Sequence, residues 1–228
     1  MLRKISFLIL IIILICSACE REDSIESLYR DAEKLESNIL KSVNTISQCR
    51  ANYEIILRDA PESEFAALAC YKLGKLNEIF GHYDEAIEYY KNLLAQYPEH
   101  QICADGLLNM AQIYQLHLDK SEDAMATYQQ LVAFYPDHAV SFEGYLQLGQ
   151  LYSKEQDWED ALRYFQTIVN QYPDNDISDD LYFRMGDILQ NELEDTSNAK
   201  KMYRTLIEKY PDSSWEKYVQ QRLAELRR

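Results

Sequence analysis

The sequence predicts an all-α fold: a right-handed solenoid of antiparallel helix pairs, about four and a half repeats long, closed by a C-terminal capping helix. Three observations carry that expectation. Prolines at 61, 98, 136, 173 and 211 recur at intervals of 37 or 38 residues, and each of the last four directly follows a tyrosine. Twelve residues before those four stand Ala86, Ala124, Ala161 and Ala199, and eight before them stand Tyr90, Tyr128, Phe165 and Tyr203. Glycine and proline are scarce, six and five among 228 residues, so little interrupts helix between the repeat ends. One helix pair leaves an apolar face uncovered, and stacked copies bury it.

The clearest copy runs from Phe142 to Pro173. Tyr145, Leu148 and Tyr152 fall on one stripe of a first helix, and Gly149 lets a second helix approach closely. Ala161 supplies the small contact on that second helix, Phe165 fills the layer between them, and Pro173 ends the unit. The order aromatic-x2-Leu-Gly-x2-Tyr, then Ala-x3-Phe, then Pro resembles the tetratricopeptide repeat, with Tyr145 in the place of the usual Trp.

Taken in order, residues 1–18 read as a lipoprotein signal peptide. Arg3 and Lys4 precede an apolar run from Ile5 to Ala18, short for a membrane-spanning helix and suited to the core of a secretory signal peptide. Ile15-Cys16-Ser17-Ala18-Cys19 resembles a bacterial lipobox, although Cys16 stands where Leu is usual, and the resemblance implies lipidation of Cys19. A signal peptide cut without lipidation, or an uncleaved anchor, is the alternative. Glu20, rather than Asp, then implies the outer membrane. The polar stretch EREDSIES makes residues 19–27 a lipidated tether. Residues 28–61 read as a degenerate N-terminal repeat or cap, with a first helix from Leu28 to Leu40 and a second over 42–59. Cys49 and Tyr53 take the small and aromatic positions of that second helix.

Four regular repeats follow at 62–98, 99–136, 137–173 and 174–211, with Gly74, Ala111, Gly149 and Gly186 as the small residues of their first helices. In the first, Asp84 is expected just before the second helix. Repeats two and four carry one extra residue in the turn between helices, LDKSED and LEDTSN, which accounts for the 38-residue intervals. Residues 212–228 should form the capping segment, helical over 214–227, with Ser213 and Glu216 as a capping box.

The formal net charge of −15 argues against nucleic-acid binding, which needs clustered Lys and Arg. His100 and His138 each stand two residues after a proline, a helix-start position, and lack the close spacing of metal ligands. Cys49, Cys70 and Cys103 read as small buried hydrophobes, with a Cys49–Cys70 disulfide left open. The sequence contains no nucleophile motif, phosphate loop or zinc-type cysteine pair. The expectation is a non-enzymatic protein without cofactor, metal or small-molecule substrate.

In tetratricopeptide repeats the partner face is concave and built from first-helix positions 2, 5, 9 and 12. With the small residue at position 8, position 5 is Tyr71, Leu108, Leu146 and Phe183. Position 9 is Lys75, Gln112, Gln150 and Asp187, and position 12 is Glu78, Gln115, Ser153 and Gln190. The resemblance implies a groove for an extended peptide or a partner helix. Alternatively, position 5 only packs against the next repeat. The Lys/Asn clamp that chaperone co-factors use to hold a C-terminal carboxylate is absent. The Tyr-Pro-Asp/Glu repeat ends together with the lipobox are similar to envelope proteins of diderm bacteria. The chain resembles two such families, the lipoprotein of the β-barrel assembly machinery and the Tol-Pal-associated periplasmic coordinator. They imply a scaffold lipid-anchored at the periplasmic face of the outer membrane that binds envelope proteins and meets the membrane only through its lipid.

Overall fold

A computed structural model describes residues 21–37, 43–173 and 175–226, which form eleven helices and no strand. Helix α1 covers 21–36, followed by α2 (Val43–Asp59), α3 (Glu64–Ile79) and α4 (Tyr83–Gln96). Then come α5 (Ile102–Leu116), α6 (Ser121–Phe134), α7 (Ser141–Lys154) and α8 (Trp158–Gln171). The last three are α9 (Ser178–Asn191), α10 (Thr196–Lys209) and α11 (Glu216–Glu225). The chain divides into two compact units between Ile113 and Tyr114. All-α architecture built from helix hairpins is the class the repeating prolines predicted.

In the first unit, α3 pairs with α4, and α2 packs on α3. Ile25, Tyr29 and Ala32 of α1 bury against Cys49, Tyr53 and Ile56 of α2 and Leu73 of α3. In the second, α7 pairs with α8 and α9 with α10, while α6 packs on α7, α8 on α9 and α11 on α10. The hairpins close because the first helix carries glycine where the second carries an aromatic ring. A Cβ on Gly74 would stand 2.5 Å from Cε1 of Tyr90, and one on Gly149 or Gly186 would collide likewise with Phe165 or Tyr203. Ala86, Ala124, Ala161 and Ala199, with no exposed surface, let the second helix sit that close.

The turns inside the repeats differ by the extra residue. In repeats one and three, the His82 N–H donates to the Asn77 carbonyl and the Asp157 N–H to that of Tyr152, each at 2.9 Å across five residues. In repeats two and four the equivalent bonds, Lys120 to Tyr114 at 2.8 Å and Asp195 to Leu189 at 2.7 Å, span six.

Three expectations are corrected. Residues 21–27, read as tether, are helical, so α1 starts at 21 rather than at Leu28, while residues 38–40 of the expected helix lie outside the described residues. Ile25 is the one apolar residue in that polar stretch, yet it stands four before Tyr29 and seven before Ala32, and all three are buried. The capping box before α11 does not form. Ser213 Oγ accepts from the Trp215 N–H at 3.2 Å and donates to Asp179 at 2.7 Å, while Glu216 accepts from Gln220 at 2.9 Å. Asp84 lies inside the first turn of α4, whose N-cap is His82. The signal peptide over 1–18 and the lipidation site Cys19 lie outside the described residues. Among those described, no helix is long and apolar enough to cross a membrane.

Candidate functional site

The first helices present positions 5, 9 and 12 half-buried in every regular repeat: the packing holds their stems and leaves their ends reachable. Position 12 is anchored from the second helix. The Tyr90 hydroxyl donates to Glu78 at 2.9 Å, Tyr128 to Gln115 at 2.8 Å, and Tyr203 to Gln190 at 3.2 Å. Phe165 has no hydroxyl to give, and there position 12 is Ser153, which donates to the Gly149 carbonyl at 2.7 Å. Burial, reinforced by the charge of Glu78, raises the Tyr90 pKa, so its hydroxyl stays protonated and donates. Burial likewise pushes Tyr203 up to about 12.

The same arrangement exists in the degenerate repeat, where sequence reasoning missed it. The Tyr53 hydroxyl donates to Glu36 at 3.0 Å, which makes Glu36 position 12, Glu33 position 9, Ala32 position 8 and Tyr29 position 5. Tyr29-x2-Ala32 repeats the spacing of Tyr71-x2-Gly74, the signal in the sequence that could have found it. Lys72 of α3 bridges to Glu36 at 2.8 Å and approaches Glu33 at 3.9 Å.

Position 5 serves both as packing and as surface. Tyr71 lies with its ring 6.0 Å from that of Tyr90, and its hydroxyl accepts from Asn109 of the next repeat at 3.1 Å. Leu108 and Leu146 stay half-buried. Phe183 is different: Trp215 stacks on it at 3.9 Å with the planes 4° apart, and Tyr218 of α11 adds an edge contact at 5.4 Å. The Trp215 indole N–H also donates to Asp180. The chain's own C-terminal segment thus covers the fourth-repeat position. Around the row, Lys75 pairs with Glu78 at 3.0 Å, Gln115 donates to Gln147 at 2.9 Å, and Asp187 accepts from Asn191 at 2.7 Å. Gln112 and Gln150 are half-buried beside them. Of the remaining packing residues, Ala111, Tyr145 and Leu148 are buried, and Tyr152 stacks on Tyr164 at 5.5 Å.

His100 and His138 accept backbone N–H groups through Nδ1, from Ile102 at 3.2 Å and Val140 at 3.4 Å, the place taken by Asn175 and Ser213 in later repeats. They finish turns. Cys49, Cys70 and Cys103 are buried and form no disulfide, so Cys49 and Cys70 do not pair. Burial raises the Cys49 thiol to about 11 and the Cys70 thiol to about 12, which keeps both protonated and unreactive. Among the described residues no group of three or more His, Cys, Asp and Glu side chains could hold a metal ion.

Stacked hairpins with a half-buried first-helix face define a helical-repeat protein. The tetratricopeptide repeat matches the sequence four times, at 69–100, 105–138, 143–175 and 180–213, together more than half of the chain. The chain belongs to the tetratricopeptide repeat family. As such it is a protein–protein interaction scaffold, of a family whose members bind peptide or protein partners and are generally non-enzymatic.

Solved structures agree on the fold. A tetratricopeptide repeat protein from Parabacteroides merdae superposes with a TM-score of 0.59 at 19% identity, over 90% of this chain and 72% of that one. Pseudomonas aeruginosa pilF gives 0.55 at 16% identity, covering 87% and 82%. MamA from Desulfovibrio magneticus gives 0.52 at 16% identity, covering 83% and 98%. At these identities the likeness concerns the fold alone. No curated protein matches the sequence.

Proposed function

We propose that this chain is a non-enzymatic scaffold anchored by lipid on Cys19 at the periplasmic face of the outer membrane, in an envelope complex of the kind that assembles outer-membrane proteins. Its partner is a peptide or helix of an envelope protein, received on the first-helix face, with no cofactor and no small-molecule substrate. The observation that carries the reading is the face itself. In the first unit Tyr71, Lys75, Glu78, Leu108 and Gln112 are half-buried, and Glu78 is held by Tyr90. A pre-ordered surface of that kind costs a partner little entropy to meet.

The test is capture of partners from detergent-solubilised envelopes by the full chain and by a Tyr71→Glu, Leu108→Glu double variant. We expect the captured protein to be lost from the variant while its far-ultraviolet circular dichroism is unchanged. Equal capture by both would sink the groove. A second reading, a periplasmic coordinator of Tol-Pal or cell-wall synthesis machinery acting through its loops, draws support from Trp215, which already fills the Phe183 position. Substitutions across 174–180 would then weaken capture, and groove changes would not.

A further inference from the structure

The early start of α1 limits how far the body can stand from a bilayer. Arg21 is already helical, and Ile25 is buried against the rest of the first unit. From Cys19 to Ile25 the chain offers two peptide steps and four helical rises, a reach of roughly 13 Å at most. A free tether over 19–27 would have allowed about 30 Å and independent tumbling. The helix removes that freedom.

The edge at which α1 starts is the edge of the α2–α3 loop, because Arg21, Glu22 and Ile25 share one hollow with Asp59, Pro61 and Glu62. The Arg21 guanidinium donates to the Asp59 carbonyl there. From this edge α3 runs away for 16 residues, about 24 Å, to Ile79 and the α3–α4 turn.

We propose that, with lipid on Cys19, the first unit stands with the α1 start and α2–α3 loop against the lipid headgroups and the α3–α4 turn facing away. The inference rests on the lipid-anchor reading above. It also specifies the surface chemistry. Glu22, Asp23, Asp59, Glu62 and Glu64 outnumber Arg21 and Arg58 on this edge, so the acyl chains supply all the attraction and anionic headgroups repel the protein. The fitting surface is a zwitterionic bilayer.

The experiment places a donor dye at Glu62→Cys or Asp84→Cys in the full lipidated chain, in phosphatidylethanolamine/phosphatidylcholine vesicles with a headgroup acceptor. Cys49, Cys70 and Cys103 are buried, and the parent chain should take up no dye. Energy transfer should be higher from 62 than from 84. A flexible Gly/Ser segment inserted between Glu20 and Arg21 should abolish the difference. Equal transfer from the two sites, in a chain whose intact mass shows lipid on Cys19, overturns the orientation and leaves the anchor standing. An unmodified Cys19 overturns both. Binding of the unlipidated chain to phosphatidylglycerol vesicles would overturn the surface chemistry.

Discussion

Each second-helix tyrosine fills the layer over a small first-helix residue with its ring and fixes a position 12 side chain with its hydroxyl. The third repeat shows the two roles separated, since Phe165 keeps the ring and Ser153 turns to its own backbone. Tyr128→Phe should therefore cost about 1 kcal/mol, the net worth of one hydrogen bond to a group left in place. Adding Gln115→Ser, which recreates the pair of the third repeat, should recover part of that loss. Urea unfolding of the two single variants and the double variant measures the coupling, and strict additivity would refute it. At this scale the small and aromatic positions were legible because their sterics are local. The position 12 contacts were not: Glu, Gln, Ser and Gln share no motif, and their partners lie on another helix.

At the scale of elements, the repeat turns all require one left-handed residue, supplied by Gly81 at φ 74°, Asp119 at 52°, Gln156 at 63° and Glu194 at 52°. Only the first is the residue type that adopts this conformation freely. Gln156→Gly should raise stability by about 0.5–1 kcal/mol, the relief of strain exceeding the added freedom of the unfolded chain, and Gly81→Gln should lower it by a similar amount. Denaturant midpoints of the two variants check both signs. The turn lengths could be read from the proline intervals. The true start of α1 could not, because one apolar residue among charges does not show a helical stripe until its neighbours across the hairpin are known.

For the whole molecule, the buried thiols and phenols make stability fall with alkali. Cys49 rises from 9.0 to about 11 and Cys70 from 9.0 to about 12, both chiefly through burial, and Tyr203 rises from 10.0 to about 12 for the same reason. The folded state then holds protons that the unfolded state releases, so the contribution is complete below pH 9 and is lost as pH climbs towards 11 and 12. Thermal melts between pH 7 and pH 11 should show a steady loss above pH 9. A flat profile would contradict the burial of these groups.

Sequence by itself determined the all-α class and the four repeats, because proline, glycine or alanine, and an aromatic ring each do a short-range steric job at fixed spacing. It also marked the first-helix positions a partner could use. Only the tertiary structure decided which of them remain open. Phe183 stands in the same register as Leu146, and nothing local distinguishes them. The difference comes from Trp215, distant in the chain, whose ring removes apolar surface from water by lying flat on that phenyl.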